Sequence, residues 1–77
     1  MKPYRAEVRW LDPYGSAEWL SNREARKMKP AECVTIGWVV YEDDGRVVVA
    51  GSRMDDGWGD VTAIPAGSVV QKKGAQR

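Results

Sequence analysis

The sequence predicts a small, mainly β protein with five short strands and one short helix after the first strand. Three observations support this fold class. Apolar and charged residues alternate with a period of two in several segments, which is the pattern of half-buried strands. Turn-forming residues separate these segments at short intervals. The chain has only 77 residues, which allows one small domain with a thin margin of stability.

The first predicted strand covers residues 4–11. Its charged residues alternate with the apolar residues Tyr4, Ala6, Val8 and Trp10. This alternation predicts that one face of the strand is buried and the other is in water. The turn-forming sequence Asp12-Pro13-Tyr14-Gly15-Ser16 follows and is expected to end the strand.

The single predicted helix is short. Ser21 and Glu24 have the Ser-x-x-Glu spacing of a capping box, so the helix is expected to begin near Asn22. It should end before Lys29, because Pro30 disfavours helical geometry in the residue that precedes it. Few apolar residues share one face of this segment, so the helix is weakly amphipathic.

Residues 32–41 and 46–54 are predicted as the second and third strands. The second strand would share one apolar face, formed by Val34, Ile36, Trp38 and Val40. The connection Asp43-Asp44-Gly45 fits a three-residue loop in which Gly45 adopts the left-handed conformation. That loop predicts three cross-strand pairs: Val40 with Val48, Trp38 with Ala50, and Ile36 with Ser52. A two-residue loop would pair Trp38 with Gly51 instead, but it would bury less apolar surface.

A fourth strand is predicted at residues 60–64 and a fifth at residues 68–72. The Pro65-Ala66-Gly67 turn between them resembles the turn before the last strand of SH3-like barrels. We therefore predict a small five-stranded SH3-like barrel or a strongly bent antiparallel sheet, since curvature helps a small sheet to protect its edges. This single domain would span residues 1–72, with a frayed tail at residues 73–77.

The composition excludes several classes of function. Twelve Lys and Arg against eleven Asp and Glu give a net charge of +1, which argues against both a dedicated nucleic-acid binder and an acidic DNA mimic. The chain has no His, which excludes His-based triads and His metal ligands. Its single Cys cannot form an internal disulfide. No apolar run approaches the roughly 20 residues that span a bilayer.

These absences predict a non-enzymatic protein of the cytoplasm, with no cofactor, no metal and no membrane association. No Ser, Thr, Lys or Tyr has a recognisable base partner, and the chain has no phosphate-cradling motif. The aromatic residues are four Trp and three Tyr without Phe, and these two types are enriched at interfaces and ligand sites.

Much of the chain resembles a group of small, largely uncharacterised proteins of tailed bacteriophages and prophages. The similar segments are Val8–Asp12, Lys29–Cys33, Thr35–Gly37, Glu42–Asp44, Val47–Ala50 and Asp60–Gly67. The resemblance implies an accessory protein that inhibits or modulates a component of the bacterial host, such as an antiviral defence factor. It would bind a host protein or sequester a small nucleotide signal, in the latter case as a homo-oligomer.

The segment Asp55-Asp56-Gly57-Trp58-Gly59-Asp60 is the strongest candidate for a binding site. Trp58 has no predicted strand neighbour, so it either folds back over the barrel or faces a partner, as tryptophan does at binding hot spots. Arg53 is expected to pair with a phosphate or carboxylate of the ligand, or with Asp55 or Asp56 at the surface. A cation site formed by the carboxylates is a weaker alternative, because their spacing is not that of an EF-hand.

Two aromatic residues after the first strand, Tyr14 and Trp19, complete the predicted binding residues. Trp10 and Trp38 are predicted to pack in the core, because they lie on apolar strand faces. An alternative site for nucleic-acid phosphates is the basic cluster Arg23, Arg26, Lys27 and Lys29. We favour a solvated helix face for this cluster, since positive charge is favourable near a helix C-terminus.

The sequence thus predicts a binding protein whose partner is a host protein or a small nucleotide. Two alternatives remain: a small nucleic-acid-binding module, and a structural or assembly protein of the virion that associates through an exposed strand edge.

Overall fold

The computed structural model describes residues 1–74 and confirms a mainly β fold. Five antiparallel strands form one sheet: β1 (Tyr4–Asp12), β2 (Ala31–Glu42), β3 (Arg46–Met54), β4 (Gly57–Pro65) and β5 (Val69–Gly74). The helix α1 (Asn22–Arg26) lies between β1 and β2, and a 3-10 turn (Ala66–Ser68) precedes β5. The strand order across the sheet is β4-β3-β2-β1-β5.

The sheet is open and bent. Of the two predicted architectures, the bent antiparallel sheet is therefore the one that forms, and the closed SH3-like barrel is not. In residues 1–74, β4 and β5 are the two edges of the sheet and do not pair with each other. The 3-10 turn nevertheless contacts both β1 and β3, which lie on opposite sides of β2. The backbone N–H of Ala66 also donates to the carbonyl oxygen of Gly45 at 3.0 Å. Bulges in the β1–β5 and β2–β3 ladders increase the local twist.

The hydrophobic core occupies one face of this sheet. Its buried residues are Ala6, Val8, Val39, Val47, Val49 and Ile64. Tyr4, Trp10 and Val69 pack against them. The indole N–H of Trp10 donates to the Thr35 hydroxyl at 3.0 Å, which satisfies its one polar group. The predicted structural role of Trp10 is therefore confirmed.

The apolar face predicted for β2 is wrong. Val34 and Ile36 are exposed, whereas Gly37 and Val39 are buried. The cause is the register with β1, in which Ala6 lies opposite Gly37. The other face of β1 carries charged residues, so its apolar face must be turned to the core. Pairing then places the odd-numbered residues of β2 on the core side.

The predicted register between β2 and β3 is only partly correct. Trp38 pairs with Ala50 as expected. Two predicted pairs do not form, namely Val40 with Val48 and Ile36 with Ser52. A bulge beside Val40 makes Tyr41 the partner of Val48, and the ladder between the strands ends at Trp38.

The turn between β2 and β3 depends on a carboxylate and not on a left-handed glycine. Gly45 has no positive φ, contrary to the prediction. Asp43 Oδ1 accepts hydrogen bonds from the backbone N–H groups of Gly45 at 2.8 Å and Arg46 at 3.0 Å. The bond from Gly45 is the main reason that the pKa of the Asp43 carboxyl lies below its ordinary value. A side chain thus closes this hairpin.

Two strand boundaries also differ from the prediction. β4 begins at Gly57 instead of residue 60, which places Trp58 inside a strand. β5 continues to Gly74, two residues beyond the predicted domain end at residue 72. The remainder of the predicted frayed tail, residues 75–77, lies outside the described residues.

Three strands are joined by a polar network at one end of the sheet. The Tyr4 hydroxyl lies 2.9 Å from each carboxylate oxygen of Glu42, and Lys72 forms an ion pair with the same carboxylate. These residues belong to β1, β2 and β5. The hydrogen bond from Lys72 lowers the pKa of Glu42, and the same bond raises the pKa of Lys72.

We expect Glu42→Gln to lower the free energy of unfolding by about 1 kcal/mol at neutral pH, because charge-assisted hydrogen bonds are lost at a partly exposed site. A carboxyl whose folded pKa is lowered stabilises the fold above its ordinary pKa and loses this contribution as the pH falls through the folded value. Urea denaturation should therefore show a smaller difference near pH 3 than at neutral pH. Glu32→Gln, on the same strand, is the matched control. An equal loss at both pH values would contradict the prediction.

Candidate functional site

Two tryptophans and two arginines meet beside the point where β3 leaves β2. The ring centroids of Trp38 and Trp58 are 6.0 Å apart, with the planes tilted by 48°. The Arg53 Cζ lies 4.9 Å from the Trp38 centroid and 5.4 Å from the Trp58 centroid. The Arg5 Cζ lies 5.5 Å from the Trp38 centroid. These distances are those of aromatic pairs and cation–π contacts, and we call the four residues the Trp–Arg cluster.

Strand pairing accounts for two of these contacts, one Arg–Trp pair in each of two ladders. Arg5 lies opposite Trp38 in the β1–β2 ladder, and Arg53 lies opposite Trp58 in the β3–β4 ladder. Ala50 is the β3 partner of Trp38, so strict alternation along β3 would direct Arg53 to the other face. The two pairs meet because the β3–β4 hairpin changes direction beyond the end of the β2–β3 ladder.

Backbone geometry marks the place where this change of direction occurs. Asp60 has a φ of 54°, the only positive φ of a non-glycine residue within residues 1–74. Asp tolerates this left-handed conformation better than most residues. Asp60 follows Trp58 by two residues and lies in register with Gly51, where a side chain would contact the Asp60 carboxylate. The left-handed residue and the glycine together permit the bend that brings Trp58 to Trp38.

The two guanidinium groups of the cluster have no carboxylate partner. In residues 1–74, the strand arginines Arg9 and Arg46 form ion pairs at 3.4 Å with Glu7 and Asp43, but Arg5 and Arg53 form none. The predicted surface pairing of Arg53 with Asp55 or Asp56 is therefore not observed. An arginine guanidinium carries a positive charge at neutral pH. The cluster thus presents two permanent positive charges held against indole rings.

Exposed aliphatic side chains continue the surface of the cluster. Ile36 precedes Trp38 by two residues on the same face of β2 and is 56% exposed. Trp38 pairs with Ala50 across the β2–β3 ladder, and Ala50 pairs with Val61 across the β3–β4 ladder. Val61 therefore lies on the same face of the sheet as Trp38, and it is 52% exposed. Aromatic, arginine and aliphatic groups therefore lie side by side, which is the composition of binding hot spots.

The predicted site at residues 55–60 is only partly assembled. Trp58 is half-buried and has a strand neighbour, contrary to the prediction. Asp55 and Asp56 are exposed and form the turn at the tip of the β3–β4 hairpin. Within residues 1–74, no three His, Cys, Asp or Glu side chains are grouped closely enough to hold a metal ion.

Tyr14 and Trp19 are not brought to the cluster. They lie in residues 13–30, a segment between β1 and β2 that we call the arm, and they are 64% and 101% exposed. The predicted capping box of α1 is confirmed by reciprocal bonds between Ser21 and Glu24 at 3.0 and 3.1 Å. All of the predicted basic cluster is exposed in this arm: Arg23, Arg26, Lys27 and Lys29.

Two residues of the cluster were not among the predicted site residues. The sequence predicts a core position for Trp38 and places Arg5 among the charged residues of β1. The antiparallel ladder that joins them offers a signal, since an arginine opposite a tryptophan on a solvent-facing sheet surface favours stacking.

No protein-family model matches the chain, and no curated protein or solved structure matches it. Within the described part of the chain, no helix has the length and apolar character needed to cross a membrane.

Proposed function

We propose that the protein is a non-enzymatic binding protein and that its Trp–Arg cluster recognises an acidic site on another protein. The observation that carries the proposal is the pair Arg5 and Arg53, stacked on indoles and without carboxylate partners. A stacked guanidinium keeps its N–H groups available at its edge, where they can engage a carboxylate in bidentate fashion. Stacking also fixes the side chains in advance, which lowers the entropy cost of binding.

The chemistry of the cluster supports binding more than catalysis. Indole and guanidinium groups do not gain or lose protons near neutral pH, so they cannot act as general acid or base. Arginine and tryptophan are, however, the residue types most enriched at the centres of protein interfaces. Ile36 and Val61 add apolar area beside them.

An acidic protein surface suits the cluster better than a nucleotide. A base that stacks requires an indole face free of other groups. Trp38 already contacts two guanidiniums and Trp58, and Trp58 contacts Arg53. A carboxylate needs only the guanidinium edges and leaves this stack in place. Sequestration of a nucleotide signal is therefore the less favoured mode.

The resemblance to small phage and prophage proteins supports a partner in the bacterial host. On this proposal the protein acts in the host cytoplasm and inhibits or modulates the component that it binds. A factor of antiviral defence is one such component.

The experiment compares Arg53→Glu with Arg46→Glu, two identical charge reversals on β3. Each variant is immobilised and exposed to host lysate, and the captured protein is then purified for measurement of Kd by calorimetry. We expect Arg53→Glu to weaken binding at least tenfold, because it places a negative charge at the centre of the surface. Arg46→Glu should retain the affinity of the wild type within about twofold.

Three results would contradict the proposal: no captured protein, equal binding by both variants, or tight binding of a cyclic dinucleotide that Arg53→Glu abolishes. The last result, read from tryptophan fluorescence, would establish the nucleotide mode. Native mass spectrometry of the purified protein reports in parallel whether it self-associates.

A further inference from the structure

The arm contains a second group of side chains that the proposed function does not use. Trp19 is 101% exposed, so both faces of its indole are in contact with water. Four exposed cations follow it: Arg23, Arg26, Lys27 and Lys29. None of them forms an ion pair with a carboxylate of residues 1–74. The arm thus combines a free aromatic surface with unpaired positive charge.

Packing within the monomer does not account for this combination. No residue of α1 is buried, and the hydrogen bonds recorded for its backbone remain within residues 21–28. A helix of this length is not stable alone in water. Arg23 and Lys27 add like charges at i and i+4, which disfavours it further. The helix dipole favours cations in the last turn, but it offers no role for Trp19.

We propose that the arm is a binding site for single-stranded nucleic acid. Trp19 stacks on an unpaired base, and the basic residues that follow it contact the neighbouring phosphates. Stacking on an aromatic side chain, combined with a track of positive charge, is how proteins hold single strands without sequence preference. A duplex lacks an unstacked base and would use only the charges, so the arm favours a single strand.

Local charge supports this assignment although the whole chain is almost neutral. The arm carries four cations against two carboxylates, and one of these, Glu24, is engaged in the capping box. The other carboxylate, Glu18, directly precedes Trp19, and Asp12 directly precedes the arm. Four further aspartates that would repel phosphates form the hairpin turns at residues 43–44 and 55–56, outside the arm. Trp19 also has the free ring faces that a base requires, whereas Trp38 does not.

The test measures the anisotropy of a labelled oligothymidylate of about 12 nucleotides, a length within the range of known single-strand sites. A duplex of equal length is measured in parallel. The five proteins are the wild type, Trp19→Ala, Arg26→Glu, Lys2→Glu and Arg53→Glu. Lys2→Glu changes the net charge as Arg26→Glu does, but it lies at the start of the chain before β1, while the arm follows the end of β1. Titrations are made at two salt concentrations.

We expect the wild type to bind the single strand more tightly than the duplex. Trp19→Ala should weaken single-strand binding about tenfold and leave its salt dependence unchanged, because a stacking contact is lost. Arg26→Glu should reduce the slope of log affinity against log salt by about 0.7, the value for one phosphate contact on a single strand. Lys2→Glu should stay within about twofold of the wild type.

The proposal is overturned if the wild type does not bind at low salt. It is also overturned if Trp19→Ala binds like the wild type, if duplex and single strand bind equally, or if Lys2→Glu weakens binding as much as Arg26→Glu. Arg53→Glu separates this site from the Trp–Arg cluster, because it should leave oligonucleotide binding unchanged. Circular dichroism should show that the arm variants keep the sheet, since the side chains that they replace are exposed.

Discussion

Gly37→Ala is expected to destabilise the native sheet strongly. A Cβ atom at Gly37 would overlap the carbonyl oxygen of Ala50 and lie 3.1 Å from its carbonyl carbon. Both are backbone atoms, so no side-chain rotation can relieve the overlap. The contact occurs where the β2–β3 ladder ends, and a shift of β3 there would also displace Ala50 and the buried Val49.

The expected loss is about 3 kcal/mol or more, at the upper end of overpacking effects. That is a large share of the total stability of a domain near the lower limit of size. Urea denaturation followed by far-ultraviolet circular dichroism measures it. Gly67→Ala is the control, because a Cβ there meets no atom within 4 Å. Similar unfolding free energies for the two variants would contradict the close approach at Gly37.

Trp38→Ala is expected to lower the free energy of unfolding by about 2 kcal/mol, less than for a fully buried tryptophan. It removes the ring that Trp58, Arg5 and Arg53 contact. The near-ultraviolet circular dichroism of the protein should fall, because an indole held in a fixed environment by its neighbours is lost.

Trp19→Ala is the matched control, since it deletes the same side chain at a fully exposed position. Its unfolding free energy should stay within about 0.5 kcal/mol of the wild type. The double variant Trp38→Ala with Trp58→Ala should cost less than the sum of the single variants, because the two rings share one contact. Equal effects of Trp38→Ala and Trp19→Ala would contradict the cluster.

Features that depend on neighbouring residues were predictable. The Ser21–Glu24 capping box, the strand alternation of β1 and the turn before β5 each follow from local backbone chemistry. Some local features were still missed. Asp43 closes its turn with a carboxylate where a left-handed Gly45 was expected, and Trp58 continues a strand across two flanking glycines.

The buried face of β2 was not predictable from β2 alone. Its two faces are both apolar enough to be buried, with Val34 and Ile36 on one and Val39 on the other. Only pairing with β1, whose charged face must remain in water, selects between them. The pattern of β2 taken without that partner therefore favours the wrong face.

The residues of the candidate sites were partly predictable from the sequence, but their arrangement in space was not. The sequence alone was sufficient to single out Trp58 and Arg53, and to place Trp19 near a run of basic residues. It could not bring Trp58 to Trp38, because that contact depends on a bend at Gly51 and Asp60 and on the end of a ladder between other strands. Nor could it show that Trp19 is fully exposed, since exposure depends on what the rest of the chain fails to cover. The strand segments and several turns of this chain follow from residues that are close in the sequence, whereas the Trp–Arg cluster arises from contacts between residues far apart in it.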